Sequence, residues 1–257
     1  MLKPSPDIKI DTHVLTQPLG SALTCCLPVV LFGTVFDYLT EMSAEKVTDG
    51  IYKVQFEHVR VYILEDVPEG KTTLIDTGFD ENGEELVETI RAEFGTIDRL
   101  ILTHGDHGHH GGLPFVMEAF DPEFLAAENE AKLYEAIDYE PDHRFEDGDV
   151  LDGNIEVIQI PGHTKATSAL LLRDRDILIS GDALDGADRA GFPEGYLLPP
   201  PALFNDDHKA AEINLYDLLQ YDFDTVLVFH GSNVFENPKQ KLDDFLVERE
   251  WDPRPDN

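Results

Sequence analysis

The sequence predicts a layered α/β domain, and three observations lead there. Short apolar runs with strand-like alternation are interleaved with segments whose apolar residues recur at helical spacing. Most of these runs end at a glycine or an acidic turn former. Hydrophobic residues make up 42% of the 257 positions, which is enough for a real core and excludes wholesale disorder. In chain order, 51–56 (IYKVQF), 59–64 (VRVYIL) and 72–76 (TTLID) read as strands, the last closing in an Asp-Thr-Gly turn. Residues 82–94 place Leu86, Val87, Ile90 and Phe94 on one helical face, with Gly95 as the stop. A strand follows at 98–103, then helices at 111–120 and 128–137. Strands recur at 155–160, 168–173 and 176–180. Residues 185–206, with Pro199, Pro200 and Pro201, read as a long loop before a helix at 207–220, a strand at 224–229 and a helix at 239–249.

Charge narrows the function classes. Acids outnumber bases 52 to 19, a formal net charge of −33. A surface this anionic repels phosphate backbones and argues against a nucleic-acid partner. The acids are spread along the chain, as in an acidic cytoplasmic protein or one adapted to a salt-rich cytoplasm, where screening relieves self-repulsion. The two cysteines, Cys25 and Cys26, are adjacent, which excludes a disulfide framework and a Cys-based zinc finger.

The sequence divides into an N-terminal extension (1–41), a domain (42–250) and a polar tail (251–257). The extension contains an uncharged apolar stretch at 19–36, about the minimum for a membrane span and interrupted by Pro28. Three readings stand side by side: a dispensable extension before a start at Met42, a membrane anchor, or an added element packed on the domain.

The chemistry gathers at strand ends. Four of the ten histidines lie in THGDHGHHGG (103–112), directly after the strand at 98–103. Neutral imidazole is a common ligand for borderline metals, and carboxylates complement it. Pro161-Gly162-His163-Thr164, Ser180-Gly181-Asp182 and Phe229-His230-Gly231 each close another apolar run with a histidine or an aspartate beside a glycine that permits a sharp turn. Any one of these suits a structural turn; their conjunction points to a metal site.

With LIDTG at 74–78, these motifs resemble the metallo-β-lactamase-fold superfamily, which includes glyoxalase-II-like thioesterases and lactonases, over about residues 47–247. The character is similar to that of acidic members from halophilic archaea. The resemblance implies a four-layered αββα sandwich with a metal site at one edge, usually holding two zinc ions and sometimes iron or manganese. It also implies a metal-dependent hydrolase whose activated water attacks a small carbonyl substrate.

The match departs from the family's His-x-His-x-Asp-His-x-Gly-Gly. Anchored on Gly111 and Gly112, His104 takes the first histidine position, Asp106 the second, Gly108 the aspartate position and His109 the last. The resemblance then implies one cation at His104, Asp106, His163 and a shared Asp182, and a second at His109, Asp182 and His230. Asp106 and Asp182 are the carboxylates expected to act in catalysis. Asp76 is expected behind a ligand histidine, although a turn-forming role competes. His107 or His110 is a candidate to replace the carboxylate missing at Gly108; surface roles are the alternative. Without that carboxylate, a metal-binding protein of weak hydrolytic activity is the rival reading. Phe192, Tyr196 and Leu197 in loop 185–206 are expected to border the pocket, with Lys165 and Arg189 as the only nearby cations, which favours a neutral ester, thioester or lactone.

Overall fold

In the computed structural model, the residues described are 43–248, so the extension at 1–41, with its apolar stretch, and the tail at 251–257 lie outside them. Seven strands form one sheet in sequence order: β1 (Ala44–Thr48), β2 (Ile51–Gln55), β3 (Arg60–Glu65), β4 (Thr72–Ile75), β5 (Arg99–Ile101), β6 (Glu123–Ala127) and β7 (His143–Phe145). The first four pair antiparallel as a meander, and β4 to β7 pair parallel. The parallel steps need crossovers. These are supplied by α1 (Gly83–Glu93), by α2 (His107–His110) with α3 (Leu113–Phe120), and by α4 (Ala131–Ala136).

A second sheet has the order β14-β11-β10-β9-β8, built from β8 (Val150–Leu151), β9 (Ile155–Gln159), β10 (Ser168–Leu172), β11 (Ile177–Ile179) and β14 (Thr225–Leu227). Strands β12 (Asp185–Gly186) and β13 (Leu197–Leu198) form a small hairpin. The remaining helices are α5 (His208–Ile213), α6 (Leu215–Leu218) and α7 (Pro238–Glu248).

Side-chain alternation explains the layering. In β10 every residue is buried, because Leu170 and Leu172 enter the core shared with the seven-stranded sheet while Leu171 enters the core shared with α6 and α7. Ile177 and Ile179 against Leu178, and Leu227 and Phe229 against Val226 and Val228, divide in the same way. Each fully buried Leu or Ile contributes about 1.5–3 kcal/mol, so a strand apolar on both faces holds two layers at once. Leu86 and Ile90 of α1 and Val116 of α3 join the first core, which completes a helix–sheet–sheet–helix stack.

Some elements differ from the sequence reading. β1, β6, β7 and β8 escape it: β1 and β7 are short, polar and partly exposed, and the ladder, not an apolar pattern, makes them strands. The helix expected over 207–220 breaks at Asn214, whose side chain turns to donate to the Pro161 carbonyl at 2.7 Å. The expected loop 185–206 contains β12, β13 and two 3-10 turns at Ala187–Ala190 and Ala202–Phe204. No helix among the described residues is long and apolar enough to cross a membrane.

Candidate metal centre

Five strand-end segments meet in one buried centre around Asp182. After β4 the chain turns at Asp76, whose φ of 61° is in the left-handed region that aspartate tolerates better than most residues. Its carboxylate is fully buried and accepts three hydrogen bonds: Thr103 N to Oδ1 at 2.8 Å, and Thr103 Oγ1 and His109 Nδ1 to Oδ2 at 2.7 Å each. After β5, Thr103 directs its hydroxyl proton to Asp76, so its oxygen accepts from His104 Nδ1 at 2.9 Å. The single turn α2 swings His109 back over Asp76, and its carbonyl accepts from Thr77 N at 2.7 Å.

After β9, His163 sits in a turn that only glycine allows: at Gly162 (φ 149°) a Cβ would lie 2.2 Å from Ala211 N. His163 Nδ1 donates to Asn205 Oδ1 at 3.2 Å, the amide nitrogen of Asn205 being turned to the Pro200 carbonyl. After β14, His230 Nδ1 donates to the His58 carbonyl at 2.6 Å.

The consequence is uniform. Each of the four rings has Nδ1 engaged by an acceptor, which turns Nε2 inward. Asp182, carried by the turn after β11, lies among them. Its Oδ1 is 3.3 Å from His109 Nε2, and its Oδ2 is 3.6 Å from His163 Nε2 and 3.4 Å from His230 Nε2. The His104 and His109 ring centres are 4.1 Å apart. Nε2 of His104, His109 and His163 and Oδ1 of Asp182 are buried without a hydrogen-bond partner. Buried polar atoms left in this way are costly unless a ligand satisfies them. Two groups have mutual donor spacings within 4.8 Å, His104–His163–Asp182 and His109–Asp182–His230, and Asp76–His104–His109 forms a third. This donor set of imidazoles and carboxylates suits divalent cations of borderline character.

Electrostatics point the same way. Burial opposes charge on the His109 ring, but the Asp182 and Asp76 carboxylates outweigh it and raise it to about 10. Burial likewise opposes ionisation of Asp182, yet the His109 and His230 rings hold it well below the usual carboxylate range. His104, buried and beside the His109 charge, is held well below the usual histidine range. The centre draws positive charge toward Asp182 and keeps His104 neutral.

Asp106 is at the rim, its Oδ2 3.1 Å from His163 Nε2 and its side chain 27% exposed. His107 turns outward, with Nε2 3.1 Å from Asp80 Oδ1. His110 packs its ring at 5.6 Å from that of His107 and belongs to none of the donor groups. At Gly108 a Cβ would approach the Phe79 ring to 3.0–3.3 Å, so an aromatic side chain borders the position where the family carries its aspartate.

The structure also corrects the surroundings. Lys132, with nothing in its sequence context to mark it, reaches Asp106 at the rim, so Lys165 and Arg189 are not the only nearby cations. Phe192 and Tyr196 line a cavity of about 630 Å³ together with Leu197, Lys241 and Phe245 of the α7 side, while the far end of their loop reaches the centre through Asn205. Thr103, Asn205 and the His58 carbonyl went unrecognised: a lone threonine, asparagine or backbone oxygen carries no signal until the fold places it behind a ring.

Comparison with known proteins agrees with this architecture. The profile of the metallo-beta-lactamase superfamily matches residues 54–230. A hydroxyacylglutathione hydrolase of Bdellovibrio bacteriovorus is 26% identical over 176 residues, covering 62% of this chain and 67% of that protein. A hydroxyacylglutathione hydrolase of Erythrobacter litoralis is 30% identical over 123 residues, so this chain spans about half of it (48% of this chain, 47% of that protein). Among solved structures, a metallo-beta-lactamase from Pontibacter korlensis superposes with a TM-score of 0.64 at 19% identity, covering 82% of this chain and all of that one.

Proposed function

Because this chain belongs to the metallo-beta-lactamase superfamily, whose members are metal-dependent hydrolases, we propose that the His/Asp centre around Asp182 is its active site. We infer that it hydrolyses a small ester, thioester or lactone. The observation that carries this reading is the set of inward Nε2 and Oδ1 atoms, buried and unpartnered, around one shared carboxylate.

On this reading His104, Asp106, His163 and Asp182 hold one divalent cation, and His109, Asp182 and His230 hold or assist a second. Zinc is the first candidate, with iron or manganese compatible with the carboxylates. A cation held there lowers the pKa of water and polarises the substrate carbonyl. The protein's own part is positional. Asp76, Thr103, Asn205 and the His58 carbonyl fix the ring tautomers. Asp182 stays ionised between the two halves. Asp106, on the open side, accepts a hydrogen bond from the attacking water and aims it at the carbonyl carbon. The acyl C–O or C–S bond then breaks and the water's proton passes to the leaving group. The similarity to hydroxyacylglutathione hydrolases makes a hydroxyacyl-glutathione the first substrate to test. The net charge of −33 supports a salt-rich cytoplasmic setting.

A second reading, metal binding with weak hydrolysis, is favoured by Gly108 and the Phe79 ring against it. Metal analysis of the purified full chain, paired with hydrolysis of a thioester, ester and lactone panel, separates the two. The proposal expects at least one divalent ion per chain, and hydrolysis that is abolished in His163→Ala and His230→Ala. Fully metallated protein that cleaves none of the panel would refute it.

A further inference from the structure

The segment from Glu130 to Leu133, at the start of α4, touches both loops that carry candidate ligands, yet none of its side chains enters the centre. Lys132 Nζ bonds Asp106 Oδ1. The other oxygen of that carboxylate is the one 3.1 Å from His163 Nε2. Glu130 is fully buried, and its Oε2 accepts from Thr164 Oγ1 at 2.7 Å and from Ala166 N at 3.0 Å, the residues that follow His163. Gly105, between His104 and Asp106, lies flush against the same segment: a Cβ there would be 2.5 Å from Leu133 N and 3.0 Å from Glu130 Oε1.

These contacts reproduce, for a carboxylate, the arrangement seen at the four rings. One atom is held from outside and the other faces the centre. A carboxylate at the rim, unlike a buried ring, has free rotamers, so an ammonium on Oδ1 is what directs Oδ2 inward. We propose that Lys132 is a positioning residue that turns Asp106 into a cation ligand on the His104–His163 side. Glu130 and Gly105 keep its helix in register with both ligand loops. The Glu130–Leu133 brace thereby supports an aspartate in the position where the family carries a histidine. This inference rests on the reading of the centre as a cation site.

The test is equilibrium binding of Zn²⁺ to the full chain by chelator competition, together with the absorption spectrum of the Co²⁺-loaded protein, for wild type, Lys132→Met and Lys132→Arg. Lys132 is exposed on one side, so both variants fold, and the melting temperature of the metal-free chain verifies this. Loss of an outer partner of a ligand typically weakens metal binding about 10–100-fold. Lys132→Met is expected to show that loss and altered Co²⁺ bands, and Lys132→Arg to recover most of both. Unchanged affinity and spectrum in Lys132→Met would overturn the inference. So would tighter binding, since the ammonium would then compete with the cation for Asp106. A wild-type chain that binds no divalent ion would overturn the centre itself, which distinguishes the two failures.

Discussion

Replacing Asp76 by asparagine isolates the electrostatic part of the centre from its packing. Asparagine is isosteric and accepts the left-handed φ of 61° at this position, so no backbone strain is introduced. The hydrogen bonding cannot be conserved. Asp76 accepts from Thr103 N on one oxygen and from Thr103 Oγ1 and His109 Nδ1 on the other. With the amide oxygen toward Thr103 N, the NH₂ group faces His109 Nδ1, which must then become the acceptor and carry its proton on Nε2. Nε2 then keeps its proton and offers no lone pair to a cation. With the amide reversed, two donors oppose each other in a buried site, at a cost of about 1–3 kcal/mol. Either way, divalent-cation affinity should fall about 10–100-fold, equivalent to roughly 1.4–2.7 kcal/mol. Chelator-competition titration measures it, and the melting temperature of the metal-free variant establishes that the fold survives. An affinity within a factor of two of wild type, in a folded variant, would show that Asp76 is only a turn former.

Two further outcomes follow from other residues. Burial and the neighbouring Asp182 carboxylate push Asp185 up to about 6, although Arg189 pairs with it at 2.5 Å. The folded state therefore favours its protonated form, a contribution that is full below 3.8 and lost as pH rises through about 6. The gap between the two values corresponds to about 3 kcal/mol, so in metal-free protein the stability of wild type relative to Asp185→Asn should drop by up to that amount between pH 3.8 and pH 7. Urea titrations across that range would show a constant difference if the reasoning were wrong. Gly108→Asp should raise cation stoichiometry or affinity on the His109–His230 side once Phe79 yields a few tenths of an ångström, and Phe79→Leu should enhance the gain. Metal analysis that finds neither variant different from wild type would remove Gly108 from any explanation of activity.

Much of this was legible before the fold. His104, His163, Asp182 and His230 each stand one to three residues beyond an apolar run and next to a glycine, and such ends are where strands hand side chains to a site. Gly162 and Gly181 made the turns readable as tight ones, and the structure shows why: their Cβ atoms would collide with backbone at 2.2 and 2.6 Å. The edge strands β1 and β7 were not legible, because they are short and polar and the ladder with a neighbouring strand, not an apolar pattern of their own, orders them. The outward turn of His107 was equally hidden. Its spacing from His109 and His110 is that of a metal cluster, and only the one-turn geometry of α2 sends it to Asp80.

Periodicity and turn chemistry are local properties, so residue order alone could settle most of the apolar strands, where they stop and which imidazoles and carboxylates sit at those stops. The tautomer of each ring, the isolation of Asp182 from water and the meeting of Lys132 with Asp106, 26 positions apart, belong to the folded chain. They arise from contacts between segments brought together by the sheets and their crossovers. Distance along the chain carries no information about them, and burial supplies the energetic weight that makes each such contact matter.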